Sequence, residues 1–182
     1  MNKARTLADV TGLDALPVAA ALIGEQAEAV RASTQAWIAW VRGDDTITGT
    51  ALAAALMHHT SRDALLVLAH RGGWAEGDPT AHHTDPLTAE AAGRLLANGA
   101  PDPDVSDRII DGVGRVLDTA TRNDAEHAAA LAVQAFIAWD QDNTIAAELW
   151  AREAMQHDDR CSLARLVYAA VSRGVLPEWK NR

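Results

Sequence analysis

The 182-residue chain has a single cysteine, Cys161, so an intrachain disulfide cannot form. This composition is typical of a reducing compartment, and we expect a soluble protein of the cytoplasm. The most apolar stretch near the N-terminus, Leu16 to Ile23, is interrupted by a proline. It is too short to span a bilayer, and no signal peptide precedes it, so no membrane partner is expected.

Aromatic residues are also few, at 4% of the chain, and β-branched residues rarely alternate with polar ones. Strands therefore find little support. What the chain does have is 48% hydrophobic residues, many of them alanine. Alanine favours helices and lets them pack closely. The sequence predicts an all-α fold with a real core, in one compact domain or two related halves.

The net charge of −9 is distributed unevenly. Residues 72–159 carry 17 acidic and 5 basic side chains, a balance of −12, whereas residues 160–182 carry 1 acidic and 5 basic, a balance of +4. An acidic middle segment disfavours direct binding to nucleic-acid phosphates. It fits either a solvated surface or a face for a basic partner.

An internal repeat is the most informative feature of the sequence. The segment from Gln35 to Trp40 recurs from Gln134 to Trp139 with five of six residues identical. After a one-residue deletion, identities continue at Thr46/Thr144, Ile47/Ile145, Ala53/Ala151, Met57/Met155, His59/His157, Arg62/Arg160, Leu65/Leu163 and Leu68/Leu166. Thirteen of 29 aligned positions match, where chance would give roughly one in ten.

Each copy has the pattern of three helices joined by short turns. In the second copy we expect helices from about Asp124 to Trp139, from about Ile145 to Gln156, and from near Ser162 to Gly174. Their expected packing residues include Ile145, Leu149 and Trp150, then Leu163, Leu166, Val167, Ala170 and Val171. In the first copy, helices are expected to end near Arg42, to span Thr48 to His58, and to span Arg62 to His70.

We divide the chain into a first helical unit at residues 1–75, an acidic linker at 76–122 and a second helical unit at 123–182. The first unit adds a helix from Leu13 to Gly24. The linker begins within a stretch rich in Gly, Pro, Asp and His, at residues 72–86, and holds one or two helices, at Thr88 to Ala97 and around Val105 to Leu117.

The unit resembles a tetratricopeptide-type hairpin. Paired helices carry Trp or Phe and Ala at their crossing, a Gly/Asp turn joins them, and a third helix would begin the next repeat. This resemblance covers about half the chain. It implies duplicated three-helix units packed as one helical-repeat domain.

The second copy also resembles the C-terminal helical part of an actinobacterial family known as domain of unknown function 4192. The likeness rests on the run from Ala135 to Trp139, Ala151 to Ala154, Ser162 to Leu166 and Gly174 to Pro177. Family members usually have Gly in the first turn and an Asp-Pro step before the Ser-Leu-Ala run, and this chain departs from both. The family supplies no catalytic residues.

Motifs for catalysis are weak. The pairs His58-His59 and His82-His83 are adjacent, and neighbouring helix residues point about 100° apart, so neither pair suits one metal ion. His59 and its repeat partner His157 are better interpreted as stabilising helix C-termini. Cys161 lacks a recognisable oxyanion-hole motif. Gly112-Val113-Gly114 lies in a helical pattern, not after a strand. No metal or cofactor is expected.

Six tryptophans are many for this length. Four of them, Trp37, Trp40, Trp139 and Trp150, fall within the paired helices and are expected in the core. Trp74 and Trp179 lie in a loop and in the tail, and are the better candidates for contact with a partner. Arg62 and Arg160 recur too. They suit an ion pair with Asp63 or Asp159, a helix-capping role, or a partner-binding role.

Three functions remain open. The first is a non-enzymatic helical-repeat protein that binds a protein or peptide partner, with self-association into a homodimer as an accompanying expectation. The second is an acidic, DNA-mimic-type antagonist of a nucleic-acid-binding protein. It would require aligned carboxylates from Asp102, Asp104, Asp107, Asp111, Asp118 and Glu126. The third is an enzyme with a His-based site.

Overall fold

The computed structural model describes residue 28 and residues 31–70, 99–119 and 124–181. These residues form helices and no strand, which confirms the all-α prediction. Helix α1 includes residues 31–41. It is followed by α2 (Gly49–Leu56), α3 (His59–Leu68), α4 (Pro103–Thr119), α5 (Asp124–Asp140), α6 (Thr144–His157), α7 (Ser162–Ser172) and a 3₁₀ turn (Glu178–Asn181). The helices expected at Leu13–Gly24 and Thr88–Ala97 lie outside the described residues.

Helix α1 ends because Gly43 adopts a left-handed conformation with φ of +99°. The N–H of Asp44 then donates to the carbonyl of Ala39, and the N–H of Gly43 donates to that of Trp40. This pair of bonds is the Schellman motif, which satisfies carbonyls left open at the helix end. The helix therefore ends at residue 41, close to the end near Arg42 that the sequence predicts.

Helix α5 ends with the same pair of bonds. The N–H of Asn143 donates to Ala138, and the N–H of Asp142 donates to Trp139. Asp142 takes the left-handed place of Gly43, with φ of +64°. The two turns then diverge, because α6 begins directly at Thr144. In the first copy, α2 begins only at Gly49. Duplication into tetratricopeptide-like units stays a prediction.

The break between the second and third helices also falls at different places in the two copies. His157 is the last residue of α6, as predicted. His59 is the first residue of α3, so its assignment to a helix C-terminus is wrong. When the two copies are aligned, α3 begins five residues earlier than α7. The aligned histidines therefore lie on opposite sides of the turn between the second and third helices. Sequence identity here does not mean equal position.

Helix α4 packs against both α2 and α5, and it joins the two copies. It approaches α1 closely at Gly112, where an added Cβ would lie 2.5 Å from Cζ3 of Trp37 and 2.7 Å from Nε1 of Trp40. The Gly112-x-Gly114 pair is therefore inside a helix, and Gly112 makes room for two indole rings. Helix packing therefore explains the glycine at position 112, and a nucleotide-binding role is not needed to explain it.

The indole of Trp40 is held by the side chains and backbone of α4. Its Nε1 donates to the carbonyl of Arg108 at 2.6 Å. The guanidinium carbons of Arg108 and Arg115 lie 4.1 and 4.4 Å from the ring centroid, within cation–π range. Arg108 also donates to the carboxylate of Asp45, at 2.9 Å. These contacts fasten the turn after α1 to α4.

Most of the buried apolar residues of α1 through α7 form one cluster. Trp37 and Trp40 lie inside it, which confirms their core assignment, while Trp139 and Trp150 are only partly buried against it. The packing predicted for three other residues is wrong. Ile145 is 84% exposed, Leu149 is 58% exposed and Leu166 is 64% exposed.

Among the described residues, no helix is both long and apolar enough to cross a membrane.

Candidate partner-binding surface

Helix α6 is positioned by a row of small residues. Ala147, Ala151 and Ala154 are fully buried and face the core. Alanine lets α6 approach α5 closely, and this is the most extensive helix–helix contact of the described chain. Asn143 caps the helix, since its side-chain oxygen accepts from the N–H of Ala146. The opposite face of α6 is consequently turned outward.

This outward face holds the most exposed large apolar side chain of the described residues, Ile145, with Leu149 one turn further on. The two are separated by four residues, so they lie on the same side of the helix. They line an open depression of about 440 Å³ together with Glu148, Arg152, Glu153 and Gln156. We call these six residues the α6 surface.

The charges of the α6 surface are acidic in balance. Nη1 of Arg152 lies 3.5 Å from Oε1 of Glu148, an exposed pair at i and i+4. Such a pair contributes about 0.3–0.5 kcal/mol at most. Glu153 adds a second carboxylate on the other side of the apolar row. An apolar patch with charged residues at its border is typical of surfaces that bind other proteins.

Trp179, which the sequence suggests as a partner contact, is held in place by the rest of the chain. Its side chain is half-buried, and Nε1 donates to the backbone carbonyl of Asp140 at 3.0 Å. The ammonium of the next residue, Lys180, pairs with the carboxylate of Asp142. The C-terminal turn is thus fixed to the end of α5, and the indole is not free. Partner binding by Trp179 stays a prediction, and Trp74 lies outside the described residues.

The repeated arginines lie in unlike surroundings. The Arg62 side chain is only 14% exposed, and its Nε lies 3.9 Å from Oδ1 of Asp63, which fits the predicted ion pair. Arg160 is exposed, and its backbone N–H donates to Oδ1 of Asp158. Neither arginine lines the α6 surface.

Two histidines meet where α5 begins and α6 ends. The rings of His127 and His157 are stacked, with centroids 5.1 Å apart. Nδ1 of His157 lies 3.2 Å from Oδ1 of Asp124. Stacked rings do not direct their nitrogens at one point, and within the described ranges no three His, Cys, Asp or Glu side chains could hold a metal ion.

The buried thiol of Cys161 faces the carbonyl of Ala128 at 3.8 Å.

Sequence reasoning missed a buried pair, His70 and Asp140. Nδ1 of His70 lies 2.8 Å from the carbonyl of Leu66, which assigns a proton to Nδ1. Nε2 faces Oδ2 of Asp140 at 3.2 Å, and both side chains are almost completely buried. The one signal in the sequence was the aspartate that directly follows an apolar helical run. A substrate could not reach either group in this conformation.

Part of the expected acidic row is present. Asp104, Asp107, Asp111 and Asp118 are all exposed on α4. Their spacings of three, four and seven residues place them on one side of the helix. Asp102 is not part of this row, because its carboxylate accepts from the N–H groups of Asp104 and Val105 at the helix start. Glu126 lies on α5 and is half-buried.

Comparison of the chain with protein-family models, with curated proteins and with solved structures found no match. The two family resemblances drawn from the sequence therefore stay predictions.

Proposed function

We propose that this protein is a non-enzymatic helical protein of the cytoplasm that binds a protein or peptide partner through the α6 surface. The supporting observation is the exposure of Ile145 and Leu149 on one side of a firmly packed helix. Burying two such side chains contributes roughly 1.5–3 kcal/mol each. A rigid helix also loses little conformational entropy when a partner binds.

The test compares three baits in lysate of the native cell: the wild-type chain, Ile145→Asp/Leu149→Asp, and Leu166→Asp. Leu166 is a matched control, since it is an exposed leucine outside the α6 surface. We expect one set of proteins to be recovered with wild type and with the control, and to be lost with the double variant. Equal recovery by all three baits, or no recovery by any, would contradict the proposal.

A second candidate function is supported by the aspartates of α4. Four carboxylates along one side of a helix offer a row of negative charge to a nucleic-acid-binding protein. Under this proposal, Asp107→Lys/Asp111→Lys removes the partner from the bait, and added duplex DNA displaces it from the wild type. Retention of every partner under both treatments would rule this candidate out.

A further inference from the structure

We propose that the α6 surface takes one amphipathic helix whose apolar anchors are flanked by Lys or Arg side chains. This inference rests on the proposed function and names the class of partner. It draws on the shape of the surface, on its charges, and on how poorly a second copy of the chain would fit.

The shape of the surface is that of one helix side. Ile145, Leu149, Arg152 and Gln156 are spaced by four, three and four residues, which forms a nearly straight row. At 1.5 Å per residue the row is about 16 Å long. A partner helix of about three turns covers that length, and two of its apolar residues at i and i+4 can pack against Ile145 and Leu149.

The charges favour a basic partner. Glu148 and Glu153 line the depression on the two sides of the row. Cations on both edges of the partner helix can therefore meet carboxylates on both sides. Arg152 is already paired with Glu148 across 3.5 Å, and the methylene stem of an arginine can cover apolar surface while its charge stays in solvent. The net charge of −9 also attracts a basic partner from a distance.

A second copy of the chain fits this surface poorly. In an antiparallel arrangement that overlaps the whole row, Ile145 faces Gln156 of the other copy and Leu149 faces Arg152. In a parallel two-fold arrangement, Arg152 faces the same arginine, which places like charges together. The antiparallel arrangement therefore places both apolar residues against polar ones, and the parallel arrangement pairs the apolar residues only by bringing the two arginines together.

The probe is a 16-residue helical peptide with leucines at i and i+4 and lysines along both edges. Its matched control carries glutamates in place of the lysines. Binding to the full chain is measured by fluorescence anisotropy at roughly 0.15 M salt, where long-range attraction is screened. We expect the lysine peptide to bind at least about tenfold more tightly than the glutamate peptide, a difference of about 1.4 kcal/mol.

Two charge variants distinguish local recognition from general attraction. Glu148→Lys/Glu153→Lys and Asp159→Lys/Glu178→Lys raise the net charge by the same amount, but only the first pair lies on the α6 surface. We expect the first to weaken binding about tenfold or more and the second to change it less than about threefold. Ile145→Asp/Leu149→Asp should abolish binding.

Three outcomes would overturn this inference: equal binding of both peptides, equal weakening by both charge variants, or a dimer in sedimentation that Ile145→Asp/Leu149→Asp dissolves. The last outcome would assign the surface to a second copy. The peptides can fail to bind while the Ile145→Asp/Leu149→Asp bait still loses its cellular partners. In that case the inferred class of partner is wrong and the proposed function stands.

Discussion

Nε2 of His70 lies 3.2 Å from Oδ2 of Asp140, and the two side chains are 0% and 2% exposed. They join the end of α3 to the end of α5, which are 70 residues apart in sequence. A buried ionisable group is costly without its partner, whereas the intact pair keeps both groups partly satisfied. This contact therefore makes the relative position of the two helices specific.

We predict that His70→Ala and Asp140→Ala each lower the free energy of unfolding by about 3–5 kcal/mol, because each leaves a buried polar group unpaired. The double variant should cost at least about 1 kcal/mol less than the sum of the single variants. Urea denaturation of all four proteins gives this coupling energy. Additive losses, within about 0.5 kcal/mol, would show that the contact has no energetic role.

A second prediction concerns the glycines of α4. Gly112→Ala should lower the free energy of unfolding by about 1–3 kcal/mol, since its Cβ would overlap the rings of Trp37 and Trp40. Gly114→Ala is the matched control two residues away, where nothing lies within 4 Å. It should raise stability by up to about 1 kcal/mol, because alanine favours the helix. Thermal unfolding of both variants measures this difference in stability. A loss of stability of equal size at both positions would contradict the prediction.

The turn after α1 gives a prediction about protonation. Hydrogen bonds from the side chain of Thr46, and next from its backbone N–H, lower the pKa of the Asp44 carboxyl below its ordinary value. The stabilisation is present above the ordinary carboxyl pKa and is lost as pH falls through the lowered one. Thr46→Val should raise the pKa of Asp44 toward normal in an NMR titration, because the variant lacks the side-chain donor. An unchanged titration of Asp44 in the variant would contradict the assignment.

Much of the second copy could be predicted from sequence because its signals are local. Asn143 caps α6, and Gly174 ends the turn after α7 with φ of +67°. Both act through bonds to residues only a few positions away, so helix ends were placed within a residue or two. The left-handed Asp142 was less evident, since glycine usually fills that position.

The orientation of α6 could not be predicted in this way. Its large apolar residues, Ile145 and Leu149, suggested an inward face, yet the alanines at 147, 151 and 154 are the buried ones. Which side faces inward depends on how near α5 lies, and only small residues allow the observed approach. The His70–Asp140 pair could not be predicted from the sequence for a similar reason. It joins distant segments, and neither residue has an equivalent in the other copy.

A partner that covers Ile145 and Leu149 is detected most directly by cross-linking. A photo-reactive amino acid is placed at position 149 in the full chain, with the same residue at position 166 as control, and living cells are irradiated. We predict one dominant cross-linked protein from position 149, absent from position 166. Identical adducts from both positions, or none from position 149, would contradict the account.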